Sequence, residues 1–104
     1  MIIIKNPINF EWDEGNQEKN YIKHQVAKTE CEEIFFDNNK IMLKDKFHSD
    51  NEDRYIILGK TRKKRILFIV FTIRNNKIRI ISARDINNKK EKQLYEKTIK
   101  NKKI

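Results

Sequence analysis

The sequence predicts an α+β domain built on one mainly antiparallel sheet of four to five strands, with two N-terminal helices and one C-terminal helix. Three observations predict it. Ile66-Leu67-Phe68-Ile69-Val70-Phe71 and the run Ile78, Ile80, Ile81 gather the apolar residues of a polar chain on either side of Asn75-Asn76. That pair reads as a two-residue turn, because asparagine tolerates positive φ. Thr29 with Glu32, and Asn88 with Glu91, carry the spacing of helix capping boxes on either side of the apolar region. Finally, the strand-like runs follow one another with no helical stretch between them, which argues for a meander rather than a parallel sheet.

The elements follow in order. After Pro7, Asn9 to Trp12 reads as a short strand, and Asp13 is placed to cap a helix through His24. Its inward face, Gln17, Asn20, Tyr21 and His24, is mostly polar. A second helix opens at the Thr29 and Glu32 box and ends near Phe36, with Cys31, Ile34 and Phe35 on its apolar stripe. Asp37-Asn38-Asn39 breaks it, Ile41 to Leu43 makes a strand, and a polar loop from Asp45 to Asp53 carries His48. Strands over 54–60, 65–74 and 77–84 complete the sheet, and a helix from Asn88 to Ile99 turns Leu94, Tyr95 and Thr98 inward. Residues 1–104 read as a single domain with a basic tail over 100–104, since a chain of this length has room for one core.

If Asn75-Asn76 is the whole loop, Arg74 faces Lys77, Ile73 faces Ile78, Thr72 faces Arg79 and Phe71 faces Ile80. One sheet face then carries Leu67, Ile69, Phe71, Ile73, Ile78 and Ile80, and is core. The other is apolar at Phe68, Val70 and Ile81 but cationic at Arg74, Lys77 and Arg79, with Thr72 among them.

The net charge of +9 needs care, because lysine, asparagine and isoleucine make 48 of the 104 residues, as A+T-rich coding produces. The distribution is more telling: residues 1–52 have a balance of −4 and residues 53–104 one of +13. A uniform codon bias does not divide a chain that way. The basic half points to an anionic partner, nucleic acid first and an acidic protein second. The single cysteine, Cys31, excludes an internal disulfide and reads as a small buried hydrophobe, and no Cys/His spacing suits zinc. Met1-Ile2-Ile3-Ile4 is too short for a signal peptide or a membrane span, so the chain is expected in the cytoplasm and away from membranes. Only Gly15 and Gly59 are present, so there is no glycine-rich phosphate loop, and HExxH and nucleophile-elbow motifs are absent. No metal or cofactor is expected.

Unpaired guanidiniums on half a sheet face repel one another unless an anion lies between them, so Arg74 and Arg79 offer a floor for phosphate. The competing reading leaves them in solvent at the hairpin tip, or paired with acids of the N-terminal half, Glu52 and Asp53 included. Arginine stays protonated near neutrality and cannot accept a proton, so catalysis needs another group. His24, beside Lys23 on the polar helix face, is the best placed. Trp12 and Tyr21 offer flat surfaces for base stacking, although Phe10 and Trp12 read first as core.

A longer pattern runs through these residues: Phe10-Glu11-Trp12-Asp13, Asn20, Lys23-His24, Val26, Glu33, Phe35, Asp37, His48-Ser49, Glu52, Arg54, Gly59, Thr72-x-Arg74, Ile78-Arg79-Ile80-Ile81-Ser82-Ala83-Arg84, Glu91 and Tyr95. Taken as a set over about Phe10 to Glu96, it resembles the BrnT family of toxins. The resemblance implies a RelE-like fold and a ribonuclease toxin of a type II toxin-antitoxin pair that inhibits translation and growth. It also implies a ribbon-helix-helix antitoxin of the BrnA type that forms a hetero-oligomer with the toxin, operator DNA being bound only through that antitoxin.

By position, the family pattern falls on Trp12, Lys23, His24, Arg54, Arg74, Arg79 and Arg84. The expected catalytic group is His24, Arg54, Arg74 and Arg79, and the expected RNA-binding group is Trp12, Lys23, Lys77 and Arg84, with attack by the ribose 2′-hydroxyl and no metal. The alternative is a basic module of little or no activity that binds an acidic antitoxin or nucleic acid. Two positions depart from the family: Gln25 stands where a glycine commonly follows the Lys-His pair, and Thr61-Arg62-Lys63-Lys64-Arg65 lacks the usual turn glycine.

Overall fold

The computed structural model describes residues 8–12, 25–46 and 52–102, with residues 98–102 described by backbone alone. The expected helix from Asp13 to His24, with Lys23 and His24 themselves, lies outside the described residues, and so does His48. The described elements are β1 (Phe10–Glu11), α1 (Lys28–Ile34), β2 (Ile41–Lys44), β3 (Tyr55–Lys60), β4 (Ile66–Arg74), β5 (Lys77–Asp85) and α2 (Lys89–Lys102). The strands form one five-stranded sheet in the order β1-β5-β4-β3-β2.

The β4–β5 hairpin has the expected geometry. Asn75 and Asn76 both have positive φ, 52° and 63°, which matches the right-handed twist of the flanking strands. The four pairs expected beside the turn are present, from Arg74 with Lys77 to Phe71 with Ile80. The next pair is Val70 with Ser82, so Ile81 is an extra residue and forms a bulge. The bulge reverses the alternation beyond it. Ala83 turns into the core, and Arg84 lies opposite Phe68 on the same face as Arg74 and Arg79. Were Ile81 paired in regular alternation instead of bulged, Arg84 would point into the core.

The sheet is mixed, which corrects one detail of the expected topology. Strands β2 to β5 form an antiparallel meander, but β1 runs parallel to β5, pairing Phe10 with Ile78 and Glu11 with Arg79. The first strand therefore sits at the sheet edge beside the last one. Local spacing carries no trace of such a pairing, because the partners lie far apart in the sequence.

α1 covers the core face. Cys31, Ile34 and Phe35 pack there with Ile57, Leu67, Ile69, Phe71, Ile78 and Ile80, and the Phe35 ring meets Phe10 and Phe71 edge-on at 5.3 and 5.1 Å. Cys31 is 1% exposed, and burial is the main reason its thiol pKa is pushed up to about 12, which makes it inert. Gly59 is where α1 crosses β3: a β-carbon there would stand 2.7 Å from Ile34 Cβ. The helix starts earlier than its sequence suggested. Ala27 is the N-cap, and its N–H donates to Glu30 Oε1 at 3.1 Å. Glu32 is thereby left to accept a 2.9 Å bond from Trp12 Nε1.

α2 opens as expected, with the Glu91 N–H donating to Asn88 Oδ1 at 2.8 Å, and its backbone continues past Ile99 to Lys102, so the start of the basic tail is helical. It lies on the sheet face opposite α1. Tyr95 is 1% exposed and its hydroxyl donates to Asp37 Oδ2 at 2.6 Å, whereas Leu94 is 39% exposed rather than inward. Burial opposes ionisation of Asp37, yet bonds from the Tyr95 hydroxyl and the Asn39 and Lys60 amides hold its carboxyl below the usual range.

The two family departures fall at positive φ, Gln25 at 53° and Lys64 at 68°. Both are left-handed positions where glycine carries no steric penalty and other residues do. Arg65 joins the two regions by donating to the Gln25 carbonyl at 2.7 Å while also meeting Asp85 and Glu30.

Candidate nucleic-acid interface

The cationic residues of the face opposite α1 stand in two rows set by the hairpin register. One row is Arg74 beside Lys77, and the next is Thr72 beside Arg79, with Glu11 of β1 alongside Arg79. Continuing the β3–β4 register past Tyr55 brings Arg54 next to Thr72 and Glu52 next to Arg74. Thr72 is the anchor. It is 2% exposed, and its hydroxyl donates to the Asp53 carbonyl at 2.7 Å. The Arg54 carbonyl accepts the Asp45 N–H at 2.8 Å, so the 52–54 segment is tied down on two sides.

The floor is not bare. Arg74 donates from Nε and Nη2 to the two oxygens of Glu52, both at 2.9 Å, which is the planar fork that guanidinium makes with carboxylate or phosphate. Arg79 Nη1 stands 3.7 Å from Glu11 Oε1, and Arg54 and Arg79 have further interactions of their own. The Glu52 carboxyl is held below its ordinary range, first by the Arg74 hydrogen bond and also by the positive charges of Arg74, Arg54 and Arg79. Three guanidiniums therefore act on one carboxylate. Arg74 is paired with Glu52 in the free protein, as one reading of the sequence expected, and the strand register puts Arg54, Arg74 and Arg79 on one sheet face. The Arg74–Glu52 pair is open to solvent, with side chains 48% and 30% exposed, so an incoming anion competes with it readily.

Arg84 and Trp12, also expected at the site, lie elsewhere. Arg84 shares the face but belongs to the α2 end: it forks onto Glu91 with two 3.0 Å bonds and covers the Phe68 ring at 4.1 Å. Trp12 is on the α1 side, half-buried against the core, bonded to Glu32 and with Lys28 Nζ 5.9 Å from its ring centre. Lys77 is exposed beside Arg74. A hollow lined by Glu32, Glu33, Asp37, Lys60 and Arg62 is more acidic than basic and contains none of these arginines. Among the described residues no group of His, Cys, Asp and Glu is arranged to hold a metal ion. No helix there is long and apolar enough to cross a membrane.

Sequence reasoning treated Glu52 only as a neutralising partner and gave Glu11 no role at the site. The available signal was Glu52's even spacing from Arg54, which puts both on the face of Arg74 once β3 pairs with β4.

The model of the ribonuclease toxin BrnT of type II toxin-antitoxin systems matches residues 12–91, a span that contains both charged rows except Glu11. The chain belongs to the BrnT family. A solved structure of the Brucella abortus ribonuclease toxin BrnT shares its fold, with a TM-score of 0.60 at 18% identity over 78% of this chain and 99% of that one. No curated protein matches the chain. Membership in the BrnT family makes it a ribonuclease toxin of a type II pair, with RNA as target and an antitoxin as partner.

Proposed function

We propose that this BrnT-family toxin cleaves RNA without a metal ion, by attack of a ribose 2′-hydroxyl on its own phosphorus. That reaction needs a fixed geometry, two proton movements and stabilisation of the extra charge on the phosphate oxygens. Arg54, Arg74 and Arg79 take the third task, with Lys77 adding charge beside Arg74. His24 moves a proton, and Lys23 beside it is the alternative carrier. Arg84 stays with Glu91 and braces α2.

The observation that carries the reading is the position of the Glu52 carboxylate, an anion with the planar fork of Arg74 around it and two more guanidiniums near by. The antitoxin we propose is a ribbon-helix-helix protein of the BrnA type, which neutralises the toxin in a cytoplasmic hetero-oligomer and alone contacts operator DNA. A second reading, a basic binding module without catalysis, is favoured by the carboxylates already present among the arginines.

Incubating RNA with EDTA-treated protein separates the two. Cleavage to fragments with 2′,3′-cyclic phosphate ends supports the nuclease, and a shift in gel mobility with the strand intact supports the module. An oligonucleotide with deoxyribose at the cleaved position is expected to bind and remain whole.

A further inference from the structure

We infer that Glu52 is the proton acceptor for the attacking 2′-hydroxyl, held against Arg74 in the free protein and released when the scissile phosphate takes its place in the Arg74 fork. The inference rests on the phosphodiester cleavage proposed above.

Arginine cannot serve as a base near neutrality, so the acceptor must be a different group at the floor. In the two charged rows the carboxylates beside the arginines are Glu52 and Glu11. Glu52 makes two 2.9 Å bonds to Arg74, whereas Glu11 approaches Arg79 only to 3.7 Å. A phosphodiester and a carboxylate present similar pairs of oxygens to a guanidinium, so each competes for the same fork. The displaced Glu52 side chain does not leave the site. The carbonyls of Asp53 and Arg54 that follow it accept from the Thr72 hydroxyl at 2.7 Å and from the Asp45 amide at 2.8 Å, which keeps Glu52 beside Arg74 while its side chain swings.

The exchange also changes what Glu52 can do. Bonded to Arg74, its carboxyl sits below the ordinary range and is a poor base. Once phosphate takes the fork, that hydrogen bond is lost and a negative charge arrives beside it, and both changes raise proton affinity. Basicity therefore rises when substrate is bound.

In the step, the 2′-hydroxyl proton passes to a Glu52 oxygen as the O2′ lone pair forms the bond to phosphorus. The bond from phosphorus to O5′ breaks with its electron pair going to O5′, which takes a proton from water. The products are a 2′,3′-cyclic phosphate and a 5′-hydroxyl, and Glu52 returns its proton to water.

The test compares wild type, E52Q and E52D on an RNA oligonucleotide and on its fully 2′-O-methylated, uncleavable counterpart. E52Q is expected to bind the methylated strand at least as tightly as wild type, yet to cleave RNA about 100-fold more slowly in single turnover. E52D, which keeps the carboxylate, is expected to recover part of the rate. The acid limb of the wild-type rate at saturating RNA is expected to disappear in E52Q and to persist in E52D. E52Q cleavage within threefold of wild type, parallel loss of binding and cleavage, or an acid limb that persists unchanged in E52Q overturns the assignment. A wild type that leaves RNA whole overturns the cleavage proposal itself.

Discussion

Arg84 and Glu91 share two 3.0 Å hydrogen bonds, joining the end of β5 to the first turn of α2. Glu91 also accepts from the Asn87 N–H at 3.2 Å and from Asn88 Nδ2 at 3.0 Å, so one carboxylate organises the entire helix start. The expected outcome of Arg84→Ala is a loss of about 1 to 2 kcal/mol from the charged hydrogen bonds and the ring contact, lowering Tm by about 5 to 10 °C. A thermal melt followed by circular dichroism measures it, and an unchanged Tm refutes the bracing role.

The same pair sets a pH dependence. The Arg84 hydrogen bond is the main reason the Glu91 carboxyl is held below its usual range, so its contribution to stability is complete above the unfolded pKa, near about 4.3. It is lost as pH falls through the lower, folded pKa. Melts between pH 7 and pH 3 are expected to fall on the acid side in wild type, and to fall less steeply in E91Q, which has forfeited this contribution at every pH.

Gly59→Ala is expected to destabilise by about 1 to 3 kcal/mol, because the new methyl meets Ile34 Cβ at 2.7 Å and the Ile34 carbonyl oxygen at 3.0 Å. Ile34 is fully buried and the carbonyl is backbone, so α1 itself must move. The midpoint of urea unfolding reports the change, and a neutral result shows that the crossing is looser than described.

Lys64→Gly is expected to stabilise, by up to about 1 kcal/mol, since it removes the left-handed penalty of a residue whose φ is 68°. Gln25→Gly acts in the same direction and keeps the Gln25 carbonyl that Arg65 binds. A lower urea midpoint in both variants contradicts this account.

Arg79→Ala tests the phosphate floor. Arg79 lies off the core face, so the circular dichroism spectrum is expected to survive while RNA cleavage falls about 100-fold, equivalent to about 3 kcal/mol of transition-state stabilisation. Arg79→Lys keeps the charge without the planar fork and is expected to recover only part of the rate. Full activity in Arg79→Ala removes Arg79 from the mechanism.

Chemistry within a few residues was the most legible part of the fold. The Asn75-Asn76 turn dictated four pairs of the β4–β5 register, Asn88 and Glu91 announced the start of α2, and the spacing of Cys31, Ile34 and Phe35 marked the buried side of α1. The N-cap of α1 was misread because Glu32 finds Trp12, twenty residues away, and Leu94 stays half in water because α2 meets the sheet through Tyr95. The arginines and the acids that could pair with them were visible in the sequence; which acid sits in which guanidinium fork was not.

By itself, then, the sequence determined which residues alternate, which cap and which carry charge, since these are properties of neighbours along one chain. Tertiary structure alone decided that β1 pairs in parallel with β5, that the Ile81 bulge turns Arg84 onto the face of Arg79, and that Glu52 lies in the fork of Arg74. The physical reason is that each of these depends on which segments meet. The free energy of such a meeting is summed over the whole core, and no single stretch of residues contains it.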